Sequence, residues 1–310
     1  MISARAERCL RELAAEGVQP WLVPASSRTP DIAAVRRRFG GLSLPRGVPL
    51  DAVRAACDGL LDVPGAPGPQ WGFVAVAVAV EPPSASGPRP GPESGPLVAA
   101  ARMVCAGVDR PNLLVRLPAT RAGRAAAAAC LAEGIGVQST GVHSAEHYAA
   151  VLDAHLAGLE RALARGVDVA GVATAASCPV GPLDAAVNAR LDRLPGGAGR
   201  ALRDTAGQAT ARLLHRTREE RLCGARWRAL RAAGARPPML VWTGTGPAHV
   251  PALVGWNTVH ALTLDTLEAA AERGGLGGDT LLGRHRDAER VLRDLADLGV
   301  RAASGCPDAC

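Results

Sequence analysis

Short runs of Val, Leu and Ala, bounded by Gly or Pro, alternate along this chain with longer stretches whose apolar residues recur at helical spacing. The short runs predict strands at Pro20–Pro24, Gly40–Pro45, Gly72–Val80, Asn112–Pro118, Ile135–Gly141, Val167–Ser177, Met239–Thr243 and Asn257–Thr263. The helical stretches are Ala4–Glu16, Pro30–Phe39, Leu50–Leu61, Pro96–Ala106, Arg121–Glu133, Ser144–Arg165, Asp184–Leu194, Arg200–Ala233, Leu264–Arg273 and Arg284–Leu298. Strands that alternate with helices form parallel β/α units. Eight such units in 310 residues predict one domain, an α/β fold of the (β/α)8 TIM-barrel type spanning residues 1–310. The segment Glu81 to Pro96, rich in Pro, Ser and Gly, reads as a loop, because the alternation continues on both sides of it.

Composition refines this picture. Hydrophobic residues make up 48% and aromatics only 3%, so the core must be built from Ala, Val and Leu, which suit close strand–helix packing. The net charge of +6 raises the question of a nucleic-acid partner. None is expected, because the arginines are interspersed with acids at helical spacing and no aromatics interleave with them. The densest runs, Arg36-Arg37-Arg38 and Arg216 to Arg221, read as solvated helix faces. Cys9, Cys57, Cys105, Cys130, Cys178, Cys223, Cys306 and Cys310 form no C-x-x-C pair and read mostly as small hydrophobes. The N-terminal MISARAERCL has no apolar leader, and the run Val74 to Val80 is too short to span a bilayer. No membrane partner and a cytoplasmic location are therefore expected.

Chemistry enters with the segment Asp109 to Ala162, DRPNLLVRLPATRAGRAAAAACLAEGIGVQSTGVHSAEHYAAVLDAHLAGLERA. It resembles transaldolase, a (β/α)8 enzyme of the pentose phosphate pathway, whose pattern runs RPNLxIKIPAT, EGIxVNxTLIFS and RYxAVxxAYLxGLE. Weaker similarity extends to EGVQPWL from Glu16, LDAVRAACDGL from Leu50, ASCPVGPLDAAVNARLD from Ala176, VWTGTG from Val241 and NTVHALTLDTL from Asn257. The resemblance implies carbohydrate metabolism, a sugar-phosphate ligand and no cofactor. It leaves the oligomeric state open.

The departures from that pattern fall on the chemistry. The family's Schiff-base lysine, in K-I-P-A-T, coincides with Arg116, and the whole chain contains no lysine. A lysine amine can lose its proton and attack a ketose carbonyl, whereas a guanidinium stays protonated. The family's first-strand aspartate coincides with Val23 or Pro24, its glutamate with Ala79, and its phosphate-binding arginine with Pro182. The T-N-P-T segment is reduced to Leu42-Ser43-Leu44-Pro45. Thr140 matches the family threonine, Gln138 stands in place of the asparagine, and Ser177 and Asn257 are retained. These four are either remnants of a sugar-phosphate pocket or packing residues at strand ends.

The resemblance puts Arg116 inside the barrel, where an unbalanced charge is costly. Glu81 on the neighbouring strand is a candidate ion-pair partner, and an anionic ligand is the alternative. His143 and His147 are spaced i,i+4 but lack a third ligand, so no metal is expected. Gly244-Thr245-Gly246 could serve as a barrel phosphate loop but lacks a dinucleotide fingerprint. A catalytically degenerate homologue that binds a ligand or partner is therefore expected. The alternative is a transaldolase that moves a dihydroxyacetone unit by an altered mechanism.

Overall fold

A computed structural model describes residues 2–25, 30–61, 72–78, 94–197 and 199–301. Its strands are β1 (Val18–Leu22), β2 (Gly41–Ser43), β3 (Phe73–Ala77), β4 (Leu113–Pro118), β5 (Val137–Thr140), β6 (Thr174–Pro179), β7 (Met239–Thr243) and β8 (Thr258–Leu262). They pair in sequence order, all parallel, and β8 closes on β1 to complete a barrel. The described helices are α1 (Ala4–Ala15), α2 (Ile32–Arg36), α3 (Leu50–Leu60), α4 (Gly95–Val108), α5 (Arg121–Leu131) and α6 (Ala145–Ala164). They continue with α7 (Val180–Leu191), α8 (Ala206–Leu222), α9 (Ala225–Ala232), α10 (His249–Ala252), α11 (Leu264–Glu272) and α12 (His285–Asp297). The expected (β/α)8 TIM barrel is the fold observed.

The period-two alternation of each strand sorts its side chains onto two faces. Outward positions such as Leu42, Leu44, Val74, Val76, Val115, Leu117 and Val137 join the helices in the main apolar core. Inward positions form a separate cluster of Trp21, Phe73, Ala75, Leu114, Ala175, Met239, Val241, Val259 and Ala261. In this aromatic-poor chain one indole supplies much of that interior. Trp21 is fully buried, and a Cβ on Gly41 would lie 2.7 Å from its ring, so β2 must carry glycine there.

Several helices begin at side-chain caps. Thr120, Ser144 and Thr263 accept backbone N–H bonds in the first turns of α5, α6 and α11. Two expectations need correction. The stretch Arg200–Ala233 is not one helix: a 3-10 turn at Arg200–Leu202 precedes α8, and Gly224 separates α8 from α9. The stretch Val167–Ser177 holds a 3-10 turn at Val169–Gly171, capped by Asp168, before β6 begins at Thr174. α7 also starts earlier than expected, at Val180, because Pro182 is tolerated in a first turn that needs no N–H.

The arginine runs behave differently from one another. Arg38 pairs with Glu7, Arg216 with Glu220, Arg221 with Asp153 and Arg226 with Glu160, all at exposed or half-buried positions. Arg218 departs from the expected solvated face. One turn beyond Leu214 on the inner side of α8, it is 2% exposed and donates from Nε to Pro238 O at 2.8 Å. Burial pushes the thiols of Cys57 and Cys130 up to about 12 and that of Cys105 to about 11, and all six described cysteines are free. Cys306 and Cys310 lie outside the described residues. Among the described residues no helix is long and apolar enough to cross a membrane.

Candidate active site at the barrel mouth

Arg116 is the one Asp, Glu, Lys or Arg within the eight strands. Its ladder partners are Ala77 on β3 and Gln138 on β5. Leu114 packs in the interior while Val115 and Leu117 face the helices, so alternation turns Arg116 inward. The guanidinium reaches over β3, where Ala75 and Ala77 stop at Cβ, to β2. There Nη1 donates to Ser43 Oγ at 3.2 Å and Nη2 donates to Leu44 O. The candidate partner Glu81, together with Ala79 at the family's glutamate position, lies outside the described residues.

Beside Arg116, Gln138 also points inward, because Ser139 points outward to bond His155 Nε2 at 2.9 Å. Gln138 is 2% exposed, and its side-chain oxygen has no hydrogen-bond partner among the described residues. One pleat nearer the mouth, Thr140 is half-buried and donates from Oγ1 to Leu117 O at 3.3 Å. Ser139 pairs with Ala176, which sets Ser177 of β6 beside Thr140, and Val142 N donates to Ser177 O at 3.0 Å. Arg116, Gln138, Thr140 and Ser177 therefore share one wall of the mouth.

Asn257 does not join them. It precedes β8 at the opposite, N-terminal end of the barrel, where it takes a left-handed φ of 56° and donates from its backbone N to Gly17 O at 2.9 Å. The expected grouping of Asn257 with the strand-end residues is corrected on this point: a residue just before a strand lies a strand's length from the mouth.

On the rim next to β6, Asp184, just beyond the first turn of α7, is 3% exposed. Its Oδ1 accepts from Gly207 N at 2.8 Å, and its Oδ2 accepts from His249 Nε2 at 2.8 Å. His249 Nδ1 in turn accepts from Gly246 N at 2.9 Å, which assigns the ring proton to Nε2. This network ties α7, α8 and the loop after β7 together. The same loop seats the Gly244 carbonyl against Gly181, where an added Cβ would come within 2.0 Å of it. Sequence reasoning missed this pair. Asp184 was visible in the matched block, but nothing local marks His249 as its partner.

The rings of His143 and His147 stand edge to face with centroids 4.6 Å apart. Their Nδ1 atoms are 3.3 Å apart, and His147 Nε2 donates to Ala119 O at 2.6 Å. Among the described residues no group of three or more His, Cys, Asp or Glu side chains could hold a metal ion.

The transaldolase/fructose-6-phosphate aldolase family model matches residues 94–306. The chain belongs to that family. A transaldolase of Parafrankia sp. is 39% identical over 224 residues, covering 70% of this chain and 61% of the relative. Transaldolase 1 of Streptomyces avermitilis is 37% identical over 256 residues, covering 80% and 66%. A transaldolase of Frankia alni is 35% identical over 263 residues, covering 82% and 69%. The matches thus span between three-fifths and seven-tenths of the lengths of these relatives. The family match takes in β4, β5 and β6, the strands that carry Arg116, Gln138, Thr140 and Ser177.

Proposed function

We propose that this chain is a transaldolase-family protein that has lost Schiff-base chemistry and retains the barrel mouth as a binding site for a small polyhydroxy ligand. The observation that carries this reading is Arg116. It occupies the position at which the resemblance puts the family's lysine, and it rests on Ser43 Oγ and Leu44 O. A guanidinium cannot supply the unprotonated nitrogen that attacks a ketose carbonyl. Nor do the described strands hold a carboxylate that could move protons at that carbon. The retained hydroxyl and amide groups of Thr140, Ser177 and Gln138 support binding. They suit carbohydrate metabolism of the pentose phosphate kind, in the cytoplasm.

Turnover of fructose 6-phosphate with erythrose 4-phosphate tests the reading. Purified protein should show no more turnover than a heat-killed control, and borohydride should trap no substrate adduct by mass spectrometry. Turnover above that control would instead establish an active transaldolase working without the lysine.

A further inference from the structure

We propose that His143 and His147, beyond the ends of β4 and β5, form a binding site for a late first-row divalent metal ion, with the Gly141 carbonyl as the third protein ligand.

The two rings meet through like atoms. Nδ1 of His147 lies 3.3 Å from Nδ1 of His143, with the rings edge to face. The carbonyl of Ala119 accepts the Nε2 proton of His147 at 2.6 Å, so Nδ1 of the neutral ring carries a lone pair. A metal-bound histidine ordinarily donates its other ring N–H to an outer acceptor such as a backbone carbonyl, which fixes the tautomer and aims the ligating nitrogen. His143 Nδ1 lies against two acceptors, this lone pair and Gly141 O at 3.0 Å. Without an ion, a single proton on His143 Nδ1 serves both. An ion in place of that proton satisfies all three atoms.

The spacing fits coordination. With each nitrogen about 2.1 Å from zinc, a separation of 3.3 Å subtends about 104°, near the tetrahedral angle. Bonds of that length give about 90° between His143 Nδ1 and Gly141 O, which are 3.0 Å apart. Imidazole nitrogen suits zinc, copper and nickel, whereas magnesium requires oxygen ligands. Sequence spacing shows only the two imidazoles, because a carbonyl ligand leaves no trace in residue type. It is the chain after β5, turning through Gly141 with a left-handed φ of 82°, that brings the carbonyl onto His143. Both side chains are half-buried at the C-terminal end of the barrel, which leaves a fourth position for water or a ligand oxygen.

Both imidazoles also depart from the family pattern. In EGIxVNxTLIFS the residue at His143 is phenylalanine, and in RYxAVxxAYLxGLE the residue at His147 is arginine. Neither of those side chains ligates a cation, so the pair belongs to this chain and not to the transaldolase site.

Calorimetric titration of the full chain with zinc chloride, after alkylation of its accessible thiols, tests the site. One zinc ion should bind per chain, and magnesium chloride should give no heat beyond dilution. His143→Phe and His147→Gln should each weaken zinc binding by at least about ten-fold, whereas His285→Ala on α12 should leave it unchanged. Melting curves without zinc verify that the variants fold. If His147→Gln does not fold for want of its bond to Ala119, His143→Phe carries the test. Zinc binding that survives substitution undiminished in a folded variant, that is lost in His285→Ala, or that magnesium matches would overturn the site, as would no zinc binding at all.

Discussion

The two faces of the barrel wall treat polar groups in opposite ways. Behind the strands, two histidines are sealed under helices and kept neutral, while the buried cation Arg218 is held by Pro238 O. Ser139 bonds His155, and His260 donates from Nε2 to Leu253 O at 3.1 Å, with both histidines fully buried. Inside the mouth, a permanent cation and a row of hydroxyl and amide groups stand on the inner wall. The rim pair Asp184–His249 lies between these extremes, a buried carboxylate satisfied by two donors. The difference teaches that buried histidines behind the wall are accommodated by losing their charge, whereas the arginine on the inner wall keeps its charge and is held by Ser43 Oγ and Leu44 O.

Acid gives the strongest way to break this comparison. Burial lowers both His155 and His260 from 6.5 to about 4. Between those values the unfolded chain takes up protons that the folded chain refuses, so unfolding is favoured as pH falls. Their stabilisation is complete above about pH 6.5 and is lost progressively down to about pH 4, by on the order of 3 kcal/mol per histidine. Urea midpoints measured across that window should fall steadily, and His155→Gln should flatten the slope. A midpoint independent of pH would show that these rings are not sealed.

The rim pair comes next. Asp184→Ala leaves His249 Nε2 and Gly207 N without their acceptor and should cost about 3 kcal/mol in denaturant unfolding. Gly181→Ala forces the Gly244 carbonyl to move and should cost about 2 kcal/mol. The same melts read it, and a neutral outcome would mean that the loop after β7 yields easily. The smallest effect belongs to the mouth. Arg116→Met should change stability by about 1 kcal/mol, because it removes two part-buried hydrogen bonds, to Ser43 Oγ and Leu44 O, together with a charge that is costly to hold inside the barrel. A larger loss would place Arg116 with the structural groups behind the wall.

Much of the architecture was legible in the chain. Met239–Thr243 and Leu50–Leu60 follow from local apolar spacing, almost residue for residue. Where the reading slipped, a local signal was ambiguous. The arginine-rich stretch around Arg218 looks like a solvated helix whichever side faces in, and Gly224 alone does not reveal that it ends one helix and starts another. At the site, the inward placement of Arg116 and the adjacency of Gln138, Thr140 and Ser177 follow from alternation and parallel pairing. The exclusion of Asn257 required knowing at which end of β8 it lies.

By itself the sequence determined the repeating β/α order, the family, and the presence of an arginine where a lysine is expected. Each of these is written in local spacing or in residue identity. Only the tertiary structure decided that Arg116 reaches across β3 to Ser43 and Leu44, and that Asp184 meets His249 sixty-five residues away. Those contacts depend on strand register, on the small side chains of Ala75 and Ala77, and on how closely one loop packs on a helix. None of these is fixed until the barrel closes.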